Sequence, residues 1–133
     1  MTRDRGKPSS MPTDPQFVTL AEVVHRAVVV VDPDGNAGLE DLLAPFEDDD
    51  EPLDGTSAQI AEQRIAEEAG KLDPQAGDPA LQMAAAVATY LAYRRHELDD
   101  EPRALLELAA RAEFEAHPPA GVEELLAERG VRL

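Results

Sequence analysis

The chain has 133 residues, no cysteine, and a formal charge of -16 from 28 acidic and 12 basic side chains. This length suffices for one core without staples, and the lack of cysteine excludes disulfides, thiolate metal sites and a cysteine nucleophile. Such acidity repels DNA, RNA and anionic lipid, because binding them requires cations that displace condensed counterions.

Residues 1–16 carry Arg3, Arg5 and Lys7 without an apolar stretch, which predicts a disordered tail and argues against a cleaved signal segment. The first helix then has a clear start. Thr19 is placed as N-cap with Glu22 three residues on as a capping box, and Val18 and Val23 are spaced as a hydrophobic staple. Leu20, Val23, Val24, Ala27, Val28 and Val31 supply an apolar face at helical period. The β-branched run 28–31 also suits a short strand, but the cap and the period agree on helix.

The turn residues Asp32, Pro33, Asp34, Gly35 and Asn36 end that element. Leu39, Leu42, Leu43 and Phe46 follow the spacing of two helical turns, limited by Pro45. The run Glu47, Asp48, Asp49, Asp50 and Glu51 comes next. Residues 32–55 carry -10 of the total charge with no basic residue, and like-charge repulsion predicts an acidic loop over about 47–55.

Thr56 with Gln59 offers a second capping box for a helix to about Ala69, with Gly70 as its stop. Asp78 and Pro79 are placed as N-cap and N1 of the longest helix, expected to reach about Leu98. Its uncharged stretch, residues 79–93, is too short to cross a bilayer, which takes about 20 residues. Being apolar nearly all round, this helix is expected at the centre. Asp99 or Asp100 is placed to cap a further helix with Leu105, Leu108, Ala109 and Ala112 inward and Arg103, Glu107, Arg111 and Glu115 as a solvated row. That helix ends at His117, Pro118 and Pro119. A last short helix buries Val122, Leu125 and Leu126 and closes at Gly130 with Val131 returning onto Leu126. No internal repeat is evident. Twenty-two alanines and five aromatic residues complete the case for an all-α fold, a compact bundle of five to six helices spanning residues 17–133 as one domain.

Three motifs carry chemistry. Asp32, Asp34 and Asn36 match the early ligand positions of a calcium-binding EF-hand loop, but Ala37 and Leu43 stand where the glycine and the bidentate glutamate belong, so a plain turn is the simpler reading. Glu22 and His25 have the spacing of a di-iron ligand pair that needs further copies, which a homo-oligomer would supply; Glu22 already has a capping task. Arg94, Arg95 and His96 form a basic cluster that suits phosphate, or pairing with nearby carboxylates, and His117 sits at a helix end that favours its charge. The signatures of serine hydrolases, phosphate loops, dinucleotide sites and zinc proteases are missing, so neither catalysis nor a cofactor is expected.

Leu39, Leu42, Leu43 and Phe46 followed by Glu47 to Glu51 have the layout of a segment that docks into a hydrophobic groove with a basic rim. The simpler and preferred reading is that Leu39, Leu42, Leu43 and Phe46 pack on the domain's own core. The functional expectation is a small cytoplasmic interaction module, such as an adaptor, inhibitor or assembly factor, that meets a basic protein partner and neither nucleic acid nor membrane. Metal binding at the two motifs above, and mimicry of nucleic acid by ordered carboxylates, are the other two readings.

Overall fold

The structure is a computed structural model that describes residues 18–133 apart from 51, 54–56 and 116. The expected tail over 1–16 lies outside the described residues, as does Thr56 with its capping box. Six α-helices are present among the described residues: α1 (Leu20–Val31), α2 (Glu40–Leu43), α3 (Ala58–Leu72), α4 (Pro79–Tyr93), α5 (Pro102–Phe114) and α6 (Ala120–Glu128). Short 3-10 turns follow α2 at Ala44–Phe46 and α4 at Arg95–Glu97. The only β-type pairing among the described residues is an isolated antiparallel bridge between Thr19 and Pro52.

Helix α1 begins as its sequence dictates. The Thr19 hydroxyl accepts from the Glu22 amide at 3.2 Å, and the Glu22 carboxylate accepts from the Thr19 amide at 3.2 Å. Two of the otherwise orphaned amides of the first turn are thereby satisfied. Asp78 does the same for α4, its carboxylate accepting from the amides of Ala80 and Leu81. At the far end of the chain α6 closes in a Schellman motif. The Val131 amide donates to the Leu126 carbonyl at 2.8 Å and the Gly130 amide to Ala127 at 3.0 Å, with Gly130 at φ +83°.

Helix α4 is the centre of the bundle, packed against α1, α3, α5 and α6. Leu81, Met83, Ala84, Ala86, Val87, Ala88, Leu91 and Ala92 are all buried on it, which an uncharged helix permits on every side. The alanines bring neighbouring backbones close. Where α6 crosses the start of α4, a Cβ on Gly121 would meet Pro79 Cγ at 2.9 Å, so only glycine fits that approach.

Several local expectations are corrected. Ser57 occupies the N-cap of α3. Gly70 does not stop α3, which runs on to Leu72, because an interior glycine costs only about 1 kcal/mol and the real stop is supplied by Asp73. Helix α4 ends at Tyr93 rather than Leu98, since the chain must tighten into a 3-10 turn for α5 to return along the bundle. Arg26 of α1 holds that connection by donating to the carbonyls of Leu98 and Asp100, each at 3.0 Å. The N-cap of α5 is Glu101, not Asp99 or Asp100. Its inward face is Leu105, Leu106, Ala109 and Ala110, whereas Leu108 and Ala112 are exposed. Packing on both α1 and α4 decides that rotation.

The exits of α1 and α3 are the same small structure. Each helix is capped by an aspartate followed by proline, Asp32-Pro33 and Asp73-Pro74, in nearly identical backbone geometry (φ -134°, ψ 68° and φ -141°, ψ 69°). Each carboxylate then accepts from two successive amides, Asn36 and Ala37 for Asp32, Gly77 and Asp78 for Asp73, all between 2.8 and 3.0 Å. In each turn the third residue after the aspartate has positive φ: Gly35 at +72° and Ala76 at +52°.

Candidate functional site

The acidic segment is held in place by four ties, each to a helix or its entrance. Three residues bury its apolar side, Leu39, Leu42 and Phe46, in the core shared with α1 and α4; Leu43 is half-buried. These three side chains therefore serve the chain's own interior and are not free to enter a partner's groove while the domain is folded. The Asp49 carbonyl accepts from the Ala21 amide at 3.3 Å, and the Leu53 amide donates to the Val18 carbonyl at 2.8 Å with Leu53 itself buried. The Asp49 carboxylate pairs with Arg64 of α3, whose guanidinium also lies over the Phe46 ring, 5.1 Å from its centroid.

What the segment offers outward is Glu47, Asp48 and Asp50, all exposed, beside Leu43. Glu51 lies outside the described residues. Next to them is a groove of about 330 Å³ walled by Ala21, Glu22, His25, Leu43, Phe46 and Glu47. Glu22 and His25 thus share a surface, with the Glu22 carboxylate engaged by Thr19 and His25 exposed. Arg64 is the residue that sequence reasoning missed. Its sequence signal is only that of one of two cations on α3, with Lys71 the other, and nothing local ties it to Asp49.

Asp32 is buried at 6 % exposure and both its oxygens are taken by backbone amides, while Asp34 and Asn36 point their side chains from exposed positions. The matching turn at Asp73 forms with Gln75 and Gly77 where the first has Asp34 and Asn36, so the fold of the turn does not depend on the calcium-like residues. Among the described residues no three His, Asp or Glu side chains gather as a metal-holding group.

The basic cluster after α4 turns back on its own surroundings. Arg94 lies over the Tyr90 ring at 5.7 Å, Arg95 donates to the Ala92 carbonyl at 2.7 Å, and His96 faces Glu97 at 3.5 Å. His117 is exposed beyond α5, its amide donating to the Phe114 carbonyl. Tyr90 donates its hydroxyl to Glu97 at 2.6 Å. Burial first, and that bond to a carboxylate second, push its pKa up to about 12. Tyr93 donates likewise to Glu62 of α3 at 2.7 Å, which raises its pKa above the usual phenol value.

A common use of arginine underlies these details. Arg26, Arg95 and Arg129 donate to carbonyl oxygens, those of Leu98 and Asp100, of Ala92 and of Val31. These three cations thereby satisfy backbone at helix ends and connections, whereas Arg64, Arg103 and Arg111 pair with carboxylates.

A larger groove, of about 600 Å³, lies along α3 and α4 and reaches the end of α5. It shares no residue with the surface around Leu43. Among the described residues no helix is long and apolar enough to cross a membrane. Compared with protein-family models, with curated proteins and with solved structures, the chain finds no match.

Proposed function

We propose that this protein is a small acidic interaction module of the cytoplasm that engages a basic protein partner through the surface at Leu43, Glu47, Asp48 and Asp50. The observation that carries the reading is the anchoring of that segment. A like-charged run left to itself stays extended and solvated. Here the buried Leu39, Leu42, Phe46 and Leu53, together with the Asp49–Arg64 pair, hold it against α1 and α3, so the exposed carboxylates are presented from a fixed frame. Carboxylates fixed beside a partly apolar groove favour a partner with Lys or Arg around an apolar anchor, because the ordering entropy of one side is already met by the fold. A chain without cysteine also suits a reducing compartment.

A photo-crosslinking side chain at position 43, used in the lysate of the protein's own cells, is expected to capture basic proteins, and capture is expected to fall as salt is raised. The variant E47Q/D48N/D50N is expected to lose them. Equal capture by that variant, or capture indifferent to partner charge, removes the segment from the functional account.

A further inference from the structure

The geometry points to the α3/α4 groove as a second docking site, one that receives an amphipathic basic helix from a partner protein. Its floor is a face of α4 at helical spacing, Gln82, Ala85, Ala86 and Thr89; the small Ala85, Ala86 and Thr89 let an incoming backbone come close, while Gln82 is held to one side by donating to the Ala76 carbonyl. Its long wall is α3 from Glu62 to its C-cap Asp73, about 16 Å at 1.5 Å per residue, the length of three helical turns. Phe114 closes the other side with an apolar ring, half-buried and so still open to contact.

Charge selects the occupant. Among the described residues Glu62, Asp73 and Glu113 are the charged side chains that line the groove, with no lysine or arginine beside them; Glu62 also accepts from Tyr93 and Asp73 from two backbone amides, and Glu113 adds a third carboxylate. A second copy of a chain carrying -16 meets repulsion there, whereas a helix with alanine or leucine on one face and Lys or Arg flanking it satisfies both floor and rim. An extended peptide has less to gain, because the groove is walled by helices whose backbone amides and carbonyls are already paired and presents no strand edge. This site does not rest on the surface proposed at Leu43, and the two can stand or fall separately.

The test titrates the full chain with a fluorescent peptide of about 15 residues, alanine and leucine on one helical face and lysine on the other, against a scrambled peptide of the same composition. The ordered peptide is expected to bind at least about ten-fold more tightly than the scrambled one. Ala85→Trp, which fills the floor from a half-buried position, is expected to weaken it by about ten-fold or more. E62Q/E113Q is expected to weaken it about three-fold and to flatten its salt dependence. E47Q/D48N/D50N is expected to leave it within about two-fold. Circular dichroism of each variant establishes that it is folded, and the rim pair reports on the site even if Ala85→Trp is not. Equal binding of the scrambled peptide, no binding of the ordered one, or full affinity in both groove variants overturns the proposal. Loss only in E47Q/D48N/D50N overturns it while leaving the surface at Leu43 standing.

Discussion

The turn after α1 and the turn after α3 have the same hydrogen bonds and the same backbone path, yet they read differently as sequence. The first, with Asp32, Asp34, Gly35 and Asn36, resembles the opening of a calcium loop; the second, with Asp73, Gln75, Ala76 and Gly77, resembles nothing. Their likeness teaches that the aspartate-proline pair alone makes the stop. The C-cap carboxylate reaches forward to two amides, and proline prevents the helix from continuing. Asp34 and Asn36 add charge and polarity to a turn that does not need them.

The comparison is most directly broken at its aspartates. Asp32→Ala removes two bonds to a buried carboxylate and is expected to cost about 2 to 3 kcal/mol, read by urea or thermal unfolding. Asp73→Ala, at a half-buried position, is expected to cost about 1 kcal/mol. Equal costs would mean that burial does not distinguish the two turns.

A third helix exit offers a contrast. At Arg94 the backbone has similar angles (φ -127°, ψ 59°), but no aspartate-proline follows, and the 3-10 turn is fastened by Tyr90 donating to Glu97. Tyr90→Phe is expected to cost about 1 kcal/mol at neutral pH. The folded protein holds the Tyr90 proton up to about 12 against 10.0 for the free phenol, so this contribution is complete below pH 10 and is lost as pH rises towards 12. The alkaline fall in melting temperature is expected to be shallower in Tyr90→Phe; an unchanged slope would show that the bond does not hold the turn.

The positive-φ residues sharpen the comparison further. If the two turns are one structure, Gly35→Ala should destabilise and Ala76→Gly should stabilise by similar amounts, each below about 1 kcal/mol, since relief of left-handed strain is partly offset by the entropy of glycine in the unfolded chain. Two changes of the same sign would show that the turns differ. The smallest expected effect is that of calcium. With both Asp32 oxygens accepting from amides, millimolar calcium is expected to leave the melting temperature unmoved, and a rise abolished by Asp34→Asn would restore the calcium reading.

Much of the fold is legible where a few adjacent residues decide it. Thr19 with Glu22, Asp78 with Pro79, and Gly130 with Val131 each specify a helix end within one turn, so their signals survive without knowledge of neighbours. The start of α5 and the stop of α3 are not legible in the same way. Glu101 is an undistinguished cap, and Gly70 is tolerated in mid-helix because Leu72 and Asp73 supply a better end. Of the candidate surface, the acidic run is legible as charge, but its anchoring is not. Arg64 and Asp49 are 15 residues apart in the chain, and only the packing of α3 beside the segment brings them together.

The sequence by itself determined that the chain is helical, where its best-capped helices begin, that α4 lies inside, and that the surface is strongly negative. These follow from local hydrogen-bonding needs, from helical period and from counting charges. Tertiary structure alone decided which face of α5 turns inward, that Leu39, Leu42 and Phe46 belong to the interior, and that α3 and α4 leave a groove between them. Each of these depends on which side chains from distant parts of the chain compete for the same space, and no short stretch of residues carries that information.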